Sequence, residues 1–144
     1  MKRASSLCMA ACLLLGGCLV SDPESSDVAI EKTVNGTLFL SGLCPGESLH
    51  GLRVEVGGRA IPVRLPGKHA DDDVVSVSLE GLPGGLSSDQ RIEFTITYSD
   101  DRGRSRTTET WWVVREIDAL KVGDVLDDGE TLISRSDLKG RNCG

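Results

Sequence analysis

The sequence predicts an all-β protein, a two-sheet antiparallel sandwich of immunoglobulin-like or related topology with an irregular C-terminal tail. Three observations lead there. Past residue 27, apolar residues recur at every second position, as a strand buried on one face requires. Turn-forming residues separate these runs at short intervals. Beyond the N-terminal region, no stretch carries a convincing helical period.

The elements follow in order. Val28–Val34 and Thr37–Leu43 flank Asn35-Gly36, the strongest two-residue hairpin signal. Leu52, Val54 and Val56 alternate with Arg53 and Glu55, and Ile61, Val63 and Leu65 alternate with Pro62 and Arg64. Gly57-Gly58 between them suits the positive φ angles of a tight turn. Pro62 has no amide to give a ladder, so its strand lies at an edge or leaves its amide side open. Val75, Val77 and Leu79 form the next run. Ile92, Phe94, Ile96 and Tyr98 form the clearest one. Asp100 to Ser105 is a turn, and Thr107 to Arg115 is a further strand. From Ile117 the pattern loosens. Val125-Leu126 and Thr131–Ile133 flank Asp127-Asp128-Gly129 as a small hairpin, and Ser134–Gly144 reads as coil or a short helical turn.

Composition excludes some functions. Sixteen Lys and Arg stand against 22 Asp and Glu, a formal net charge of −6. A non-specific nucleic-acid binder carries a basic face, so nucleic acid is not expected as a partner. Aromatic residues are 3% of the chain, so Val, Leu and Ile must fill most of the core.

The N-terminus has a different layout. Lys2 and Arg3 precede an apolar run, Leu7 to Leu15, and Leu15-Gly16-Gly17-Cys18 closes it. A bilayer span needs about 20 apolar residues, so the run is too short to cross. A charged start, an apolar middle and small residues before a cut describe a secretory signal. With Cys at the end, the segment resembles the lipobox of bacterial lipoproteins. Leu15 and Gly17 stand where that family has its Leu and its small residue. The resemblance covers residues 2–18 only. It implies removal of residues 1–17, a diacylglyceryl group on the Cys18 sulfur, and attachment to the membrane through lipid. Residues 18–27 then form the lipidated end and a polar tether, and 28–144 the β-sandwich domain. The expected location is the extracytoplasmic face of the bacterial cell membrane. The outer membrane is the alternative in a Gram-negative host, because Leu19 and not Asp follows the Cys.

Of five Cys, the resemblance implies that Cys8 and Cys12 leave with the signal and that Cys18 carries lipid. Cys44 and Cys143 remain, an even pair in an oxidising compartment, and are expected to form a disulfide. Closing so long a loop is worth roughly 4–5 kcal/mol in the chain-entropy model. The bond would tie down a polar tail.

Catalytic and metal motifs are weak. Ser136-x-x-Lys139 matches a pattern of penicillin-recognising enzymes, but its companion elements are missing. Asp124 to Gly129 looks faintly like a calcium loop, yet Leu126 takes a ligand position and Arg135 stands where Glu should close it. His69 beside Asp71-Asp72-Asp73 reads as a solvated loop. No catalytic residue, cofactor or metal is therefore expected. Two features mark candidate binding residues. Trp111 and Trp112 are adjacent, so a strand points them to opposite faces. One enters the core, and the other lies under the tail or is partly exposed. Arg102, Arg104 and Arg106 gather near a hairpin tip and suit carboxylate or phosphate partners.

The expected function is a non-catalytic binding, structural or accessory module at the bacterial envelope. Its partners would be the membrane, through lipid, and an unidentified envelope protein or glycan. The alternative is an inhibitor or immunity-type lipoprotein that blocks an envelope enzyme. A glycan or peptide hydrolase ranks below both, and would need carboxylates, or a His with a nucleophile, converging in one pocket.

Overall fold

Alternating apolar residues become strands along most of the chain. The computed structural model describes residues 27–66 and 73–138. Strands β1 (Val28–Thr33), β2 (Gly36–Gly42), β3 (Glu47–Val56), β4 (Arg59–Ile61), β5 (Val74–Ser78), β6 (Arg91–Asp100) and β7 (Ser105–Val113) come first. A short helix, α1 (Val114–Asp118), precedes β8 (Val125–Asp127) and β9 (Leu132–Ile133), and a 3-10 turn spans Arg135–Leu138.

Two antiparallel sheets result, ordered β5-β2-β1-β8-β9 and β4-β3-β6-β7, and they pack as a sandwich. The first seven strands follow an immunoglobulin-like order. In that scheme β5-β2-β1 are strands E-B-A, and β4-β3-β6-β7 are C′-C-F-G. The β8–β9 hairpin extends the first sheet beyond β1.

Three local expectations change. The first hairpin pairs Thr33 with Gly36, so Val34 and Asn35 occupy the turn and Gly36, at φ 138°, opens β2. Core register decides this. Val28 and Ile30 face Ser41 and Phe39 across the pair, all four buried, and a one-residue slip would turn them away from the space between the sheets. Gly57 and Gly58 do form the expected turn, with φ of 58° and 75°. β4 ends at Ile61, so Pro62 follows the strand, which is an edge strand as anticipated. The strand expected to reach Arg115 stops at Val113 and continues as α1, where Val114 and Ile117 turn their apolar faces inward. Helix α1 carries the chain from the second sheet back to the first.

The core lies between the sheets and centres on three rings. Phe39 of β2 stacks on Phe94 of β6, with centroids 5.2 Å apart. Trp112 of β7 meets Phe94 edge-on at 5.2 Å and Phe39 at 6.4 Å. Its indole Nε1 donates 3.1 Å to the carbonyl of Asp127 in β8, so one side chain links the two sheets. At the other end of the sandwich the Tyr98 and Ser41 hydroxyls share a 2.8 Å hydrogen bond. Burial pushes the Tyr98 phenol above its usual pKa, so it stays protonated.

A smaller cluster lies on the far side of the first sheet. Leu138, fully buried, packs with Ala29, Leu40 and Val125. The C-terminal segment, read as a polar tail tied down by a disulfide, also docks by burial through Leu138. Gly42 permits the approach, since a Cβ there would lie 2.2 Å from the Leu138 carbonyl oxygen. Residues 139–144, including Cys143, lie outside the described residues.

Replacing Trp112 by Ala should cost on the order of 3–5 kcal/mol in urea unfolding, from lost packing and an orphaned carbonyl. Trp111→Ala should cost on the order of 1 kcal/mol or less. Equal losses would show that both faces of β7 are buried.

Candidate functional site

β7 is the last strand of its sheet, and this exposed edge is where site chemistry gathers. Asp100 N–H donates to the Arg104 carbonyl, and Val114 N–H donates to that of Gln90. In the antiparallel register between these bonds, the even-numbered residues of β7 exchange hydrogen bonds with β6. The odd-numbered ones, Thr107, Glu109, Trp111 and Val113, aim their amides and carbonyls outward. The Val113 amide donates 2.9 Å to Glu116 Oε2 of α1. Among the described residues, no partner is recorded for the outward groups of Thr107, Glu109 and Trp111.

A cleft of about 330 Å³ runs beside this edge. One wall is β7 from Glu109 to Trp112, and the other is the β8–β9 turn, Asp128 to Glu130. Glu116 closes one end. The Trp pair divides as strand geometry requires. Trp112 is 1% exposed, whereas Trp111 is 43% exposed and flanks the cleft. The guanidinium of Arg91 lies 4.2 Å over the Trp111 ring, so this indole already stacks a cation. Coverage of the second Trp by the tail was an open expectation. The described part of the tail instead packs on the far side of the first sheet.

The turn that builds the acidic wall repeats the β6–β7 turn. Asp100 and Asp127 each give a carboxylate oxygen to the amide four residues on, Arg104 at 2.8 Å and Thr131 at 2.8 Å. Each also bonds backbone to backbone across a three-residue loop. The last loop residue takes a left-handed conformation. In the first turn it is Gly103, at φ 75°, and in the second it is Glu130, at φ 62°. Glycine is the natural occupant of that slot, so Glu130 is held in a strained backbone. Its carboxyl meets that of Glu116, and their hydrogen bond and mutual charge raise the pKa of Glu130. The Glu116 carboxyl beside it thus makes Glu130 easier to protonate than an isolated glutamate.

The Arg cluster does not form one basic patch. Arg104 Nε bonds Asp100 at 2.7 Å. Arg106 bonds Glu47 twice, at 2.6 and 3.0 Å, lies 3.7 Å from Asp27, and stacks 3.9 Å over the Tyr98 ring. The Glu47 contact holds the Arg106 guanidinium above its usual pKa. Arg106 therefore caps the Tyr98 end of the sandwich, and among the described residues only Arg102 of the three has no side-chain ion pair. Hydrogen bonding from the Arg104 amide, opposed by desolvation, holds the Asp100 carboxyl below its ordinary value.

Other sequence features have local uses. Asp124 accepts the Lys121 amide, and Asp127 the Thr131 amide, so the calcium-like run is turn chemistry. Ser136 Oγ hydrogen-bonds Ser134 Oγ. Lys139, His69, Asp71, Asp72 and Cys18 lie outside the described residues. Cys44 does not stand as a free thiol. Sequence reading missed Glu109, Glu116 and Glu130, which come together only through folding. A signal for Glu130 was present in the shared pattern of the two turns, with Asp at the start and Glu in the slot that Gly103 fills.

The raised pKa of Glu130 has a stability consequence. The folded state keeps the proton to a higher pH than the unfolded chain, whose ordinary value is 4.5. The contact therefore contributes fully below that value and is lost as pH rises through the folded one. Glu130→Gln should gain stability relative to wild type between pH 4 and pH 7, as read by urea midpoints. Parallel pH profiles would show that the two carboxyls do not interact. Glu130→Gly should be more stable than either, because glycine relieves the left-handed backbone. No protein-family model, curated protein or solved structure matches the chain, so no relative supplies a function for it.

Proposed function

We propose that the protein is a lipid-anchored, extracytoplasmic β-sandwich that acts as a non-catalytic binding module of the bacterial cell envelope. The lipobox-like Leu15-Gly16-Gly17-Cys18 supports the anchor, and the polar stretch to Asp27 supplies a tether ahead of β1. The observation that carries the binding role is the cleft along β7, where an exposed Trp borders a wall of carboxylates. Trp and carboxylate together suit a partner that stacks and carries positive charge.

Convergence of carboxylates in one cleft is the condition set above for a glycan hydrolase. Glycosidase carboxyls are separated by at least about 5 Å so that a glycosidic bond fits between them. Glu116 and Glu130 lie close enough for one carboxyl to raise the pKa of the other, closer than that chemistry needs, which favours seating a cation. The inhibitor or immunity-type reading stays within the binding class and would use the same edge.

The anchor is tested by Cys18→Ser in the native host. The variant should lose labelling by a fatty-acid probe and leave the membrane fraction. Equal membrane retention of variant and wild type would overturn the anchored reading. The Cys44–Cys143 bond belongs to the same proposal. An unreduced digest of exported protein should yield the two Cys-containing fragments joined, and two alkylated thiols would refute the bond.

A further inference from the structure

We infer that the β7 edge binds an extended basic polypeptide, which adds to the second sheet as a further strand and sets its Lys or Arg side chains against Trp111, Glu109 and the Glu116–Glu130 pair. This deepens the binding reading by naming the partner's chemistry, and it rests on that reading. Two independent features point the same way. The first is backbone. The outward amides and carbonyls of Thr107, Glu109 and Trp111 form an unfilled ladder edge among the described residues, and strand addition is the chemistry such an edge offers. The ladder stops at a defined point, because the Glu116 carboxylate already occupies the outward position at Val113. The second is charge. The cleft beside this edge is lined by Glu109, Glu116 and Glu130, and its aromatic wall stacks a guanidinium within the chain itself.

Geometry assigns the side chains. A strand added antiparallel to β7 places every second side chain on the outer face, beside Glu109 and Trp111. A basic residue there meets a carboxylate and an indole. A basic residue at the end of the added strand meets Glu116 and Glu130 and offsets their mutual repulsion. A second copy of this chain fits badly. Two β7 edges paired about their middles would bring Glu109 against its own copy, on a chain of net charge −6. Neutral segments would fill the ladder but leave the carboxylates without a counter-charge.

Three labelled peptides test the inference by fluorescence anisotropy with the full-length protein. The parent is a short peptide alternating Lys with Val. The other two carry N-methyl groups on every second amide, offset from each other by one residue. Strand addition uses only one of the two amide sets. One methylated peptide should therefore bind about as well as the parent, and the other at least about tenfold more weakly. Glu116→Gln/Glu130→Gln should weaken parent binding by about tenfold. Near-UV circular dichroism from Trp112 checks that this variant keeps its fold. Equal binding of both methylated peptides would overturn strand addition. Undiminished binding to the double variant would overturn the acidic seat, and no binding of the parent would overturn both. The result is independent of Cys18 fractionation, so failure here and failure of the anchored reading are distinguishable.

Discussion

The sandwich depends on what Trp112 does between its sheets. The indole belongs to the second sheet, packs on the Phe39–Phe94 stack, and ends its polar edge on a carbonyl of β8 in the first. In immunoglobulin domains the central Trp comes from strand C. Here it comes from the last strand of its sheet, beside the C-terminal hairpin. That placement links the core to the cleft. The residue before Trp112 must face outward, and the carbonyl its indole grips belongs to Asp127, which starts the turn carrying Glu130. The buried and the exposed chemistry of this edge therefore share a backbone.

The acidic wall is held at both ends. The Asp127 carboxylate fixes the turn through the Thr131 amide, and Glu116 is fixed by the Val113 amide. Glu130 sits between them in a conformation that glycine would adopt without strain. The β6–β7 turn shows the relaxed version of the same design. A carboxyl side chain in the strained slot costs backbone energy and also meets a like-charged neighbour. Both costs fall on a residue that projects into the cleft, a pattern that strained residues show at binding sites.

Period-two patterning was enough for the sandwich, because each strand with one buried face writes its burial directly into the sequence. Ile92, Phe94, Ile96 and Tyr98 show this most clearly, since all four are buried. The edge strand expected around Pro62 is there, but it ends one residue before the proline. The pattern was silent where burial does not alternate. Helix α1 spans barely more than a turn, too short for a helical period to show. The first turn slipped by one residue because Asn35-Gly36 is a local signal, while the register answers to Phe39 and Ile30 across the sheet. Leu138 is a single apolar residue in a polar tail, and periodicity cannot register one residue. The site was legible only at Trp111. Its carboxylates come from β7, α1 and the β8–β9 turn, and acidic residues scattered in sequence say nothing of which will meet. The three arginines show the converse, a cluster in sequence that the fold disperses into separate ion pairs.

One feature of the first sheet bears on how the chain is made. β1 lies between β2 and β8, so the earliest strand and one of the latest are neighbours. A chain that emerges N-terminus first can close the β1–β2 hairpin at once but cannot flank β1 on its other side until Asp127 is out. Trp112 likewise waits for β8 to supply its carbonyl. Contacts this far apart in sequence form late, after the entropy of closing a long loop has been overcome. The polypeptide thus stays short of its native state until nearly all of it has emerged. For a chain exported as proposed, that delay would keep it threadable, since a narrow translocation channel admits an unfolded chain and not a locked domain.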